Sequence, residues 1–116
     1  MTYKEIAELV DGIGYPYAYY QFTQATAKEP PFICFYYPGR DDFVADNSNY
    51  APITELVIEL YTDNKDFTAE GAVESALEAA EIVYDKDESY IESEKMYMVT
   101  YTTEVLITNG EDSVRP

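Results

Sequence analysis

Residues 54–61 read TELVIELY, and residues 68–84 read TAEGAVESALEAAEIVY. In the first stretch Leu56, Ile58 and Leu60 point one way while Glu55, Val57, Glu59 and Tyr61 point the other, the two-residue period of a strand with one face on a core. In the second, Ala69, Ala72, Val73, Ala76, Leu77, Ala80, Val83 and Tyr84 fall on one helical stripe, and its small alanines let the helix lie close on a sheet. Asp63-Asn64 turns the chain between them, so a helix is expected from about Asp66 or Thr68 to Tyr84. A strand feeding directly into an alanine-lined helix points to a layered domain of helix on sheet.

Upstream, Thr2 and Glu5 form a capping-box pattern, and Ile6, Leu9, Val10 and Ile13 repeat at helical spacing. Gly12, Gly14 and Pro16 end that helix near residue 13. Tyr17–Phe22 reads as an aromatic strand, broken by the polar stretch Thr23–Pro31. Phe32–Tyr37 reads as a second strand in which both alternating sets are apolar, so it is central or covered on both faces, by a helix and by another subunit. Pro38-Gly39 turns the chain into a polar loop, Arg40–Asn49, interrupted by Phe43 and Val44.

Downstream, Asp85–Ser89 reads as an acidic turn and Tyr90–Glu94 as a short extended piece. Met96–Thr108 reads as a long final strand, with Tyr97, Val99, Tyr101, Val105 and Ile107 alternating against Met98, Thr100, Thr102 and Glu104. The expectation is one α+β domain over residues 1–108 in the order α-β-β-β-α-β, two helices packed on one face of a mostly antiparallel sheet, followed by a polar tail over 109–116. At 116 residues the chain suits a single domain.

Composition removes functions more readily than it names one. Asp and Glu total 23 against 7 Lys and Arg, giving a net charge of −16. Direct nucleic-acid binding and attraction to anionic lipid both require clustered cations, so neither is expected. The absence of histidine rules out a His-based triad or a His metal site, and a lone cysteine, Cys34, rules out an internal disulfide or a CxxC motif. Charges interrupt Met1–Asp11, so it does not read as a signal peptide, and no apolar run approaches the ~20 residues of a membrane span. A soluble protein in a reducing cytoplasm is the expectation.

Tests for chemistry fail one by one. Asp85-Lys86-Asp87-Glu88-Ser89 begins like a calcium loop, but Tyr90 and Met96 stand where glycine and glutamate belong. Asp41, Asp42, Asp46 and Asn47 have no recognised ligand spacing, and a solvated turn accounts for either cluster. Carboxylate pairs could serve a glycosidase, but with so many acids some pair meets any spacing by chance, and no tryptophan offers a sugar platform. Cys34, between Ile33 and Phe35, reads as a small buried hydrophobe rather than a nucleophile. No phosphate-binding glycine motif or nucleophile elbow occurs. No catalytic, cofactor or metal residue is assigned, and no enzyme is expected.

What remains is surface. Thirteen tyrosines, with strands that carry more aromatic side chains than two short helices can hide, point to protein–protein contact. Phe32, Cys34, Tyr36, Phe43, Val44, Tyr97 and Tyr101 are the candidate interface residues. Glu70, Glu74, Glu78 and Glu81 form an acidic helix face with no lysine at i+4, expected to line a channel or to meet a basic partner.

The short N-terminal helix, the aromatic strands read as a three-strand meander, the stretch Thr54–Asp63, the Ala/Glu helix and the closing Tyr90-Ile91-Glu92-Ser93-Glu94-Lys95-Met96-Tyr97 together resemble the tail-terminator and tail-completion proteins of long-tailed bacteriophages and prophages. The likeness covers most of residues 2–108 and rests on length, element order and composition. It implies a homo-oligomer, a hexameric ring that caps the tail tube and joins it to the head-completion proteins. It also implies a place in the tail or neck of the virion after assembly in the host cytoplasm, no active site, and a working loop that corresponds by position to Arg40–Asn49. The acidity also supports a rival reading, a DNA mimic or other binding module, because residues 66–94 hold ten acids and one base. A mimic needs its carboxylates in free rows on one face, whereas a ring protein needs apolar contact surfaces.

Overall fold

A computed structural model describes residues 1–22, 28–40, 42–45, 48–51 and 53–108. The N-terminal helix α1, Tyr3–Ile13, starts where the capping box closes: the Glu5 N–H donates to Thr2 Oγ1 at 3.0 Å and the Thr2 N–H donates to the Glu5 carboxylate at 2.9 Å. It ends at Gly14, whose φ of 103° is a left-handed conformation open to glycine.

Strands β1 (Tyr17–Tyr19) and β2 (Phe32–Tyr36) follow, then a separate hairpin of β3 (Phe43–Ala45) and β4 (Ser48–Ala51), then β5 (Ile53–Thr62). Helix α2, Phe67–Ala79, is capped by the Asp66 carboxylate, which accepts the Ala69 N–H at 2.9 Å. Strands β6 (Tyr84–Ile91) and β7 (Met96–Leu106) complete a five-stranded sheet ordered β1-β2-β5-β7-β6. Among the described residues the β1–β2 pair of this sheet is parallel and its other pairs are antiparallel.

Both helices cover one face of this sheet. Ile6 and Val10 from α1 and Ala69, Val73 and Leu77 from α2 pack on Ile33, Phe35, Leu56, Ile58, Leu60, Val99, Tyr101 and Val105. Each aliphatic side chain fully buried there contributes roughly 1.5–3 kcal/mol of transfer free energy. The fold is therefore the expected α+β architecture, with two helices on one face of a mostly antiparallel open sheet. No helix among the described residues is long and apolar enough to cross a membrane.

Five local expectations are corrected. Asp85–Ser89 is not a turn but the body of edge strand β6, held by its ladder to β7; the turn comes later, over residues 92–95. Helix α2 stops at Ala79, short of Tyr84, because Glu81 adopts φ 60° and the Ile82 N–H closes back on the Leu77 carbonyl at 2.9 Å. Within Arg40–Asn49 the hairpin β3–β4 replaces a plain loop; Asp41, Asp46 and Asn47 lie outside the described residues. The first strand ends at Tyr19, three residues early. Its parallel pairing with β2 means that the first three strands are not a meander. The polar tail over 109–116 lies outside the described residues.

Candidate partner-binding face

The face of the sheet turned away from the helices carries Phe32, Cys34 and Tyr36 from β2, and Glu55, Val57, Glu59 and Tyr61 from β5. It also carries Met98, Thr100, Thr102 and Glu104 from β7 and Asp85 and Asp87 from β6, as strand alternation and register dictate. Its two halves differ. Towards β2 it is aromatic; towards β6 it is acidic and threonine-bearing.

The aromatic half is built by a bend. Tyr20 takes φ 70°, a left-handed conformation that costs a non-glycine residue roughly 1–2 kcal/mol, and the bend carries the chain from β1 onto the open face. There the Tyr20 ring stacks on Tyr36, with centroids 4.9 Å apart, and Phe22 meets Phe32 edge-on at 5.3 Å. Phe32 in turn stacks on Tyr61 at 4.9 Å. Such pairs contribute about 0.5–1.5 kcal/mol each beyond the area they bury, enough to offset the bend.

Glu59 sits between the two stacks. It accepts a hydrogen bond from Tyr36 Oη at 2.9 Å and another from Tyr61 Oη at 2.7 Å. Burial and the Glu59 carboxylate push the Tyr36 phenol up to about 12 and raise that of Tyr61 further. Cys34, directly across from Glu59, lies buried beneath the returning chain. Burial first and Glu59 second push its thiol up to about 11, against a small opposing effect of the Phe22 N–H. A thiol so protonated is a poor nucleophile.

Not all of the expected interface gathers here. Phe32, Cys34 and Tyr36 do, although Cys34 is covered. Val44 is exposed on β3, and the side chain of Phe43 lies outside the described residues. Tyr97 is on the helix side, packed edge-on against Tyr90 at 5.0 Å. Tyr101 is fully buried under α2 and belongs to the core, a correction to its placement at an interface. The sequence pattern sets Glu59 and Tyr61 on the strand face away from Leu56, Ile58 and Leu60, as observed, but neither they nor Tyr20 and Phe22 are among the expected interface residues.

The acids of α2 do not form a free row. Glu70 is buried and ion-paired with Lys65 at 2.5 Å and with Lys86 at 2.9 Å; Lys65 also pairs with Glu88. Glu74 pairs with Lys86 at 2.6 Å and accepts the Tyr101 hydroxyl at 2.8 Å. Glu78 accepts the Tyr84 hydroxyl at 3.1 Å. Desolvation pushes the Glu70 carboxyl up, but the two lysines outweigh it and hold it below the usual carboxylate range. The relieving cations come from β6 and the β5–α2 turn, not from i+4 on the helix. Glu81, beyond the helix end, takes no part in this network.

No protein-family model matches the chain, and comparison with curated proteins finds no match.

Proposed function

We propose that this chain is a bacteriophage assembly protein of the tail-terminator kind, a subunit of a hexameric ring that caps the tail tube and joins it to the head. The observation that carries the reading is the aromatic half of the open sheet face. There Tyr20, Phe22, Phe32, Tyr36 and Tyr61 form a layer that no helix covers, with Tyr20 still 55% exposed. Such a layer, with the Tyr36 and Tyr61 hydroxyls tied to Glu59 between the rings, suits a contact between proteins. The helix-on-sheet architecture agrees with the resemblance read from the sequence. The rival reading, a DNA mimic, is weakened on the helix side, where Glu70 and Glu74 are ion-paired with lysines and Glu78 accepts the Tyr84 hydroxyl.

The test is molar mass by light scattering across a protein and salt series, alone and with a tail-tube protein. Oligomers that salt favours are expected, since screening weakens repulsion between copies of charge −16. Tyr36→Ser with Tyr61→Ser should abolish them. A strict monomer at high concentration and high salt that also ignores the tube protein overturns the proposal.

A further inference from the structure

Beyond the end of α2 lies a groove of about 700 Å³, at the opposite end of β5 from the Phe32–Tyr61 stack. Val83 and Leu106 line it, with 88% and 50% of their surfaces open to solvent. Glu55, Glu81, Asp85 and Glu104 stand around them. None of the four carboxylates has an ionic partner among the described residues, and no lysine or arginine lines the groove. The amino group of Met1, also in the lining, is held on the Leu106 carbonyl at 2.9 Å.

Three of these acids stand where stability alone disfavours them. Glu81 occupies a left-handed position, φ 60°, that glycine normally fills, at the negative end of a helix whose last turn has no base. Glu55 and Glu104 are direct cross-strand partners, so two like charges oppose each other. Exposed apolar side chains flanked by carboxylates with no ionic partner among the described residues are complementary to one kind of occupant.

We infer that this groove docks a cationic segment of a partner protein. A bulky apolar side chain of that segment rests on Val83 and Leu106, and flanking lysines or arginines meet Glu55, Glu81, Asp85 and Glu104. The site stands apart from ring formation through the aromatic face, so either can fail alone.

The probe is the peptide acetyl-KLKFKLK-amide, titrated by calorimetry into the intact chain. Glu81→Gln with Glu104→Gln should weaken binding at least tenfold. Glu92→Gln with Glu94→Gln removes the same charge from the β6–β7 turn at the far end of those strands, and should weaken it less than twofold. Val83→Ser should cost at least fivefold, and a peptide with serine in place of leucine and phenylalanine should not saturate. All five substituted positions are exposed, and melting curves confirm that the variants fold. Equal losses from the two double variants would mean attraction to net charge alone and overturn the inference. So would indifference to Val83→Ser, displacement of the peptide by micromolar calcium, or Val83-dependent self-association in place of peptide binding.

Discussion

The same hydrogen bond, tyrosine hydroxyl to glutamate, occurs on both faces of the sheet. Under the helices Tyr101 donates to Glu74 at 2.8 Å; on the open face Tyr36 and Tyr61 donate to Glu59 at 2.9 and 2.7 Å. The surroundings differ. Glu74 is backed by Lys86, which also reaches the buried Glu70, so charge on that side is neutralised within the chain. Among the described residues Glu59 has phenols alone as hydrogen-bonding side-chain partners, and the same face carries Glu55, Glu104, Asp85 and Asp87 with no ion pair to a described cation. Charge satisfied internally holds a fold together, whereas charge left unsatisfied is available to a partner. Residue type does not distinguish the two; placement does.

The largest expected effect lies on the helix side. Tyr101→Ala removes a fully buried ring and one of the two partners of Glu74, leaving Lys86, and should cost about 3–5 kcal/mol in urea unfolding. Tyr36→Ala, at a half-buried position, should cost only about 1 kcal/mol and act on association instead. Equal costs would break the distinction between the faces.

Next comes the acid limb of stability. Glu70→Gln should cost about 2 kcal/mol at neutral pH, since two lysines lose a buried counter-charge. The folded carboxyl titrates below its unfolded value, so its contribution is complete above that value, about 4.3, and disappears as pH falls through the folded one. Lys86 is raised, chiefly by Glu74 and then Glu70, so its contribution is complete below the unfolded lysine value, about 10.4, and disappears as pH climbs above it. Unfolding curves from pH 3 to 7 should fall less steeply towards acid for Glu70→Gln than for the unmodified chain. An unchanged slope would remove Glu70 from the network.

A smaller effect is expected at the bend over Cys34. Phe22→Ala should lower stability by about 1 kcal/mol, because the ring is half-buried, while speeding reaction of Cys34 with an aromatic disulfide reagent at least tenfold. An unchanged rate would mean that the returning chain does not shield the thiol.

The helix side was the legible one. Thr2 with Glu5, the alternation in 54–61 and the alanine stripe of α2 are local signals, and each became the expected element. Edge strand β6 was not legible, because Asp85, Asp87 and Ser89 on one side and Lys86 and Glu88 on the other present no apolar alternation. Its existence depends on pairing with β7. Losing β6 lost Lys86, hence the partners of Glu70 and Glu74, and with them the meaning of the acidic helix. The open face failed for a related reason: a left-handed tyrosine at position 20 carries no sequence signature, yet it folds Phe22 onto Phe32. The end of α2 was misplaced because Glu81 stands where glycine would have marked a stop.

That residue supplies the smallest expected effect and the sharpest contrast with Glu70. Replacing the buried Glu70 removes a counter-charge and destabilises, whereas Glu81→Gly should stabilise. Glycine relieves the cost of a left-handed backbone, roughly 1 kcal/mol, and loss of the carboxylate relieves repulsion with the negative helix end, roughly 0.3–1 kcal/mol. Against this, glycine makes the unfolded chain more flexible, which costs about 0.4–1 kcal/mol. The balance is a gain of about 0.5 kcal/mol, a rise of one to a few degrees in melting temperature for a chain of 116 residues. Glu81→Asn separates the contributions, since asparagine tolerates the left-handed region and restores less chain entropy to the unfolded state. Both variants should melt at or above the unmodified chain and bind the cationic peptide more weakly. A lower melting temperature for both would mean that Glu81 is held by contacts that stabilise the folded chain. The groove would then lose one of the three acids that stability does not explain.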